Sequence, residues 1–140
     1  VTLASRTTAV AKGMFGTKAR PDIAFDAVKV EDYDAVIFVG GSGAETYFED
    51  AKALGIARSA AAQNKLLAAI CIAPSILANA ELLRGKKATV WTGDKYIGIL
   101  RNNGAQYTGE PVTQDGRIIT ANGPESAKKF GDALVAALKV

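Results

Sequence analysis

Two short apolar runs stand out along the chain, Ala35–Val39 and Leu66–Ile70. Both are bounded by polar residues or glycine, as strands buried on two faces of a parallel sheet are. Val1–Ser5 reads as a further strand, Thr8–Lys12 as a short one, and Gly13 with Gly16 as a turn. Pro21–Val28 places Ile23, Phe25 and Val28 in the looser pattern of a half-buried strand. Ala44–Asn64 has helical spacing with a break near Glu49-Asp50, where Asp50 can cap a second segment. Leu54, Ile56 and the alanines around Ala60 then face the sheet.

The same patterning continues beyond Leu66–Ile70. Pro74 suits the first turn of a helix, and Ile76, Leu77, Ala80, Leu82 and Leu83 form its apolar side up to Gly85. Lys87–Trp91 reads as a strand, Lys95–Asn103 as a short helix or loop, and Ala105–Val112 and Arg117–Thr120 as strands around a turn at Asp115-Gly116. A last helix opens at Asn122-Gly123-Pro124 and buries Ala127, Phe130, Leu134 and Leu138. Alternating strands and helices make the class α/β with a mainly parallel sheet, in one domain over residues 1–140.

Composition narrows the function. At 140 residues and 49% hydrophobic content the chain can bury a sizeable core. No apolar stretch is long enough to cross a bilayer, so no membrane partner is expected. The net charge of +3 is dispersed, which argues against a nucleic-acid surface. A single cysteine excludes an internal disulfide and suits a reducing, cytoplasmic setting. The absence of histidine matters most: it removes every Ser–His or Cys–His triad and the commonest transition-metal ligand. No metal or other cofactor is expected.

The one cysteine, Cys71, falls where the strand Leu66–Ile70 meets the helix opened by Pro74. A thiol at such a corner projects from the carboxyl edge of the sheet beside a helix start, a setting that favours the thiolate. The alternative is a small buried hydrophobe, the commoner role of a lone cysteine. Sites in open α/β sheets form outside the carboxyl ends of strands. Three such ends are chemically suggestive: Gly40-Gly41, Cys71, and Thr120–Pro124. A carbonyl or acyl-transfer site needs two N–H groups aimed at a developing oxyanion, and Gly41 and Ile72 are the candidates. Gly40-Gly41-Ser42-Gly43 reads equally well as an ordinary turn, and far less well as a phosphate loop.

These residues resemble the ThiJ/PfpI superfamily, which includes the parkinsonism-associated deglycase and archaeal intracellular proteases. The resemblance lies in Tyr33–Gly41, Leu67–Pro74, and Asp115–Thr120 running into Gly123-Pro124, and it extends over nearly the whole chain. It implies a flavodoxin-like three-layer sandwich, a homodimer or higher oligomer, Cys71 as reactive thiol, and oxyanion-binding amides at Gly41 and Ile72. Gly40, Trp91, Gly123 and Pro124 would line the site. Protease-type members place histidine directly after the cysteine. Ile72 stands there instead, so the resemblance is nearer the deglycase and ThiJ branch.

Members of that branch often hold another histidine near the site, at a position that falls on Trp91; core packing is the role favoured for its ring. Family members also begin with a central strand, a glutamate that hydrogen-bonds the thiol, and a helix. No residue here matches that glutamate; Glu45, Glu49, Asp94 and Glu125 read as exposed charges. The lost strand would lie between Val1–Ser5 and Ala35–Val39, which leads to the expectation of an upstream segment of about thirty residues, the size of a strand-plus-helix unit, or its supply by another chain. The implied function is a cysteine-dependent enzyme acting on a small-molecule carbonyl, of glyoxalase or deglycase type. The alternatives are a redox-sensing stress protein using the same thiol and, further off, an intracellular peptidase.

Overall fold

The computed structural model describes residues 1–139. Its centre is a four-stranded sheet in the order β5–β6–β10–β9, formed by Ala35–Phe38 (β5), Leu66–Ile70 (β6), Ile118–Ala121 (β10) and Val112–Asp115 (β9). The first three run parallel and β9 is antiparallel to β10, across the expected Asp115-Gly116 turn. β6 lies between two neighbours and is buried on both faces. Leu66 and Ala68 pack with Ile119, Ala121 and Phe130, whereas Leu67 and Ala69 pack with Ala57, Ala60, Ile76, Leu77 and Leu83. A period of two thus feeds two separate cores.

Helices cover both faces, giving the three-layer sandwich. Ala51–Ala62 (α1), Pro74–Asn79 (α2) and Asp94–Asn102 (α3) pack on one side, and Ala127–Leu138 (α4) on the other. Ala53, Ala57 and Ala60 of α1 are fully buried, so small side chains let that helix lie close on the sheet. The break before α1 falls at the expected place. A short 3₁₀ turn, Ser42–Tyr47, precedes it, and Asp50 Oδ1 accepts from the N–H groups of Lys52 (2.9 Å) and Ala53 (3.1 Å).

The peripheral strands are shorter than the sequence suggests. Val1–Ser5 and Pro21–Val28 reduce to Ala4–Ser5 (β1) and Ile23–Ala24 (β4), which pair in parallel, and Phe25–Ala27 turns into a 3₁₀ helix. Thr8–Lys12 reduces to Ala11–Lys12 (β2), the first arm of a hairpin whose return is Lys18–Ala19 (β3). Lys87–Trp91 reduces to Lys87–Ala88 (β7), paired with Gln106–Tyr107 (β8). Ala105–Val112 is not one strand: β8 and β9 are separated at Thr108–Pro111, where Gly109 has φ +70° and Pro111 lacks a donor. α2 stops short of Leu82 and Leu83, because Glu81 takes a left-handed conformation (φ +65°) and the Leu82 N–H returns to the Leu77 carbonyl. β1 pairs with β4 and β5 with β6, and a groove of about 240 Å³ lined by Leu3, Ile23, Phe25, Val36 and Ile37 lies between the two sheets.

The cap on α1 also ties down the amino-terminal segment, since Asp50 Oδ2 receives Arg6 at 3.0 Å. Asp50→Ala should lower stability by about 1 kcal/mol, the usual worth of an N-cap. A shift of the urea midpoint at constant slope is the measurement.

Candidate active site around Cys71

β6 delivers its chain to the sheet edge and then turns sharply. Cys71 has φ +66°, a left-handed conformation that costs a non-glycine residue about 1–2 kcal/mol. Two hydrogen bonds hold it there: its N–H donates to the Ala121 carbonyl and its own carbonyl accepts from Trp91 N–H, each at 2.9 Å. β10 and the segment after β7 therefore clamp both backbone groups of the cysteine. The side chain is partly exposed. This is the strained strand-to-helix corner on which nucleophile elbows are built.

The second half of the site comes from the end of β5. A Cβ on Gly40 would sit 2.5 Å from Cys71 Cβ, 2.8 Å from the Ile70 carbonyl oxygen and 3.3 Å from Cys71 Sγ. Only glycine permits that approach. Gly41 follows with φ +106°, again in glycine's territory, and starts the 3₁₀ turn. The Gly-Gly pair is thus more than an ordinary turn, since one glycine admits the thiol and the other redirects the chain. Among the described residues, neither Gly41 N–H nor Ile72 N–H donates a hydrogen bond within the protein. The Ile72 side chain is buried while its amide follows directly on Cys71.

Cys71, Gly40, Gly41 and Pro124 line one open cleft of about 690 Å³. Its far wall is the β2–β3 hairpin, which contributes Lys12, Met14, Phe15 and Thr17, and Tyr47 also lines it. No sequence signal singled out this hairpin or Tyr47 as part of the site. The Gly13–Gly16 turn was legible, but its partner across the fold was not. Trp91 and Gly123 stand together beside the cleft. A Cβ on Gly123 would lie 2.9 Å from Trp91 Cε3, so the indole rests on bare backbone. Trp91 is 43% exposed and not a core residue, because that backbone covers only one part of the ring.

Of the four carboxylates read as exposed charges, Glu45 has a more definite role. Its Oε1 accepts from Tyr96 OH at 2.5 Å and from Lys95 Nζ at 3.1 Å, joining the turn after Gly41 to the start of α3. The Tyr96 hydroxyl, followed by Lys95, holds the Glu45 carboxyl below its usual range, and the same bond raises the Tyr96 phenol. Among the described residues no three His, Cys, Asp or Glu side chains gather as a metal site would require, and no helix is long and apolar enough to cross a membrane.

A sequence model described as the DJ-1/PfpI family matches residues 1–137. An uncharacterised protein of Methanocaldococcus jannaschii is 35% identical over 140 residues, covering 99% of this chain and 68% of its own. Deglycase PfpI of Pyrococcus furiosus is 33% identical over 127 residues, covering 89% of this chain and 74% of its own. Among solved structures, a ThiJ/PfpI domain protein from Brachyspira murdochii superposes with a TM-score of 0.92 at 34% identity, over 96% of this chain and 77% of that one.

Two predictions follow from the geometry. Gly40→Ala should force β5 away from the elbow and destabilise the fold by at least about 2 kcal/mol, as overpacking against backbone does; denaturant unfolding reads this. The Glu45–Tyr96 bond contributes stability that is present above the ordinary glutamate pKa of 4.5 and is lost as pH falls through the lowered folded value. It is lost again as pH rises above the ordinary tyrosine pKa of 10.0 and through the raised folded value. Tyr96→Phe should flatten both limbs of the stability–pH curve relative to the parent protein.

Proposed function

The chain belongs to the DJ-1/PfpI family, and from that premise we propose that it is a cysteine-dependent enzyme acting on small reactive carbonyls, of the glyoxalase or deglycase type. The observation that carries this reading is the position of Cys71: a partly exposed thiol in a left-handed elbow, opening on a cleft that Gly41 also lines, with no internal hydrogen bond from the Gly41 or Ile72 N–H among the described residues. Relatives bearing the name deglycase support the reaction class.

In this mechanism the Cys71 thiolate gives an electron pair to the aldehyde carbon. An S–C bond forms, the carbonyl π pair moves to oxygen, and the N–H groups of Gly41 and Ile72 stabilise the oxyanion. Removing one such donor from an acyl-transfer enzyme costs about 3–4 kcal/mol in the barrier, which sets the scale of the help two amides can give. For methylglyoxal the hemithioacetal then isomerises, a proton and an electron pair passing from the aldehyde carbon to the ketone carbon. Water adds to the resulting thioester, the S–C bond breaks, and lactate leaves with the Cys71 thiolate restored. The aldehyde carbon is oxidised to a carboxylate while the neighbouring ketone carbon is reduced to an alcohol, so no external oxidant is consumed. Gly40 serves by absence, leaving the sulfur reachable where a methyl group would cover it. The cytoplasmic setting suggested by the single reduced cysteine, and a homodimer or higher oligomer, belong to the same reading.

Cys71→Ser should abolish lactate formation from methylglyoxal, lowering turnover by at least about a hundredfold, because a hydroxyl is a far weaker nucleophile without an adjacent base. Retained turnover in that variant overturns the proposal. So does a wild-type protein that adds oxygen at Cys71 under peroxide, seen by intact mass, yet converts no carbonyl: that result assigns the thiol to redox sensing.

A further inference from the structure

We propose that the Cys71 cleft selects carbonyl substrates with an apolar tail, which Met14 and Phe15 at the tip of the β2–β3 hairpin receive. This rests on the reading of Cys71 as a carbonyl-directed nucleophile and names the substrate class for it. Ile70 and Val39, the residues before Cys71 and Gly40, both line the cleft, and the hairpin adds Ala11, Ala19, Met14 and Phe15. Among the described residues the lining holds no Asp or Glu and one cation, Lys12. Lys12 pairs with Lys18 on the hairpin face opposite to the one that carries the Ala11–Ala19 pair.

Three large apolar side chains on this lining stand in water: Phe15 is 83% exposed, Val39 71% and Met14 69%. Single exposed hydrophobes are ordinary, but several gathered on one concave wall mark a surface that gives up its water on binding. They share that wall with the thiol, so the molecule that covers them is the one the thiol meets. The hairpin tip is ordered to present them. Gly16 N–H donates to the Gly13 carbonyl at 3.0 Å, closing a turn whose corner residues are Met14 and Phe15, and Gly16 itself takes φ +90°. Ala11 and Ala19 add only a methyl group each to the wall, which keeps the cleft wide. The Tyr47 hydroxyl is bonded to Ser5 at 2.9 Å. At about 690 Å³ the cleft falls within the range of pockets that enclose drug-sized ligands. Methylglyoxal fills a small part of it, next to the sulfur, and leaves Met14 and Phe15 wet. A 2-oxoaldehyde with a longer apolar tail takes them out of water while its aldehyde stands at Cys71, and each methylene so buried adds to affinity.

The test compares methylglyoxal with 2-oxoheptanal, which has the same reacting end and a pentyl tail in place of methyl. Wild-type kcat/KM should favour 2-oxoheptanal by at least about tenfold, the scale that one or two methylenes make in an apolar pocket, with the difference in KM. Met14→Ser combined with Phe15→Ser should bring the ratio to within about twofold, whereas leucine at both positions should keep it. A wild-type ratio near or below unity, or one unchanged in the serine double variant, overturns the proposal. So does a serine double variant whose oligomeric state, read by light scattering, changes together with the ratio, because Met14 and Phe15 then belong to a contact between copies.

If the wild type converts neither compound, the carbonyl reading fails and the apolar site is judged through the thiol itself. Cys71 is the one cysteine, so intact mass reports its alkylation without ambiguity. N-hexyl iodoacetamide should modify it at least about tenfold faster than iodoacetamide, and the serine double variant should lose that difference. Equal rates, or no modification by either reagent, overturn the proposal.

Discussion

The structure depends on one close approach, the backbone of Gly40 against the side chain of Cys71. The ends of β5 and β6 meet there without a Cβ between them, and that contact sets how far the sulfur stands from the turn that follows. The cysteine is in turn held in a left-handed conformation that its own side chain disfavours. Both its backbone groups are engaged from the far side, by Ala121 and Trp91. The elbow is therefore gripped by β5, by β10 and by the segment after β7.

Packing makes that grip affordable in energy. The left-handed φ costs about 1–2 kcal/mol. A single fully buried leucine returns about 1.5–3 kcal/mol, and Leu66, Leu67, Ile76 and Leu77 are all essentially inaccessible within one short unit around the elbow. Strain at Cys71 is thus outweighed locally, by residues on the strand before it and the helix after it. Small residues do the complementary work: Ala69 on β6 and Ala53, Ala57 and Ala60 on α1, all fully buried, let helix and strand lie close.

The parts of the fold legible in the sequence are those where burial and periodicity coincide. β6 and β10 are short, mostly apolar and buried, and the Cys71 corner follows from where β6 stops. Burial does not follow apolarity everywhere. β5, expected to be buried on both faces, leaves Ile37 and Val39 exposed at the sheet edge. α4 buries Phe130, while Ala127 and Leu138, expected on its inner face, are exposed. Asp50 was readable as a cap because its chemistry is local. What escaped was decided by contacts between distant segments. Whether Ala105–Val112 holds together depends on a positive φ at Gly109, and the length of α2 on one at Glu81. The exposure of Trp91 follows from its contact with Gly123 across the fold. Nothing in the spacing of Glu45 and Tyr96 revealed that they bond, since the pair joins two elements fifty-one residues apart.

That division also separates two kinds of function. The reactive end of the cleft is made of backbone: an elbow, two glycines and two amides, all tied to core strands. Altering it means altering the fold. The opposite wall is a hairpin whose residues from Ala11 to Ala19 are all exposed, so its side chains carry almost none of the core. A change at Lys12, Met14 or Phe15 alters the lining of the cleft while leaving the elbow in place. Hydrophobic patterning reports the first kind of residue and is silent on the second, which is why the Cys71 corner could be read from the chain while the hairpin across the cleft required coordinates.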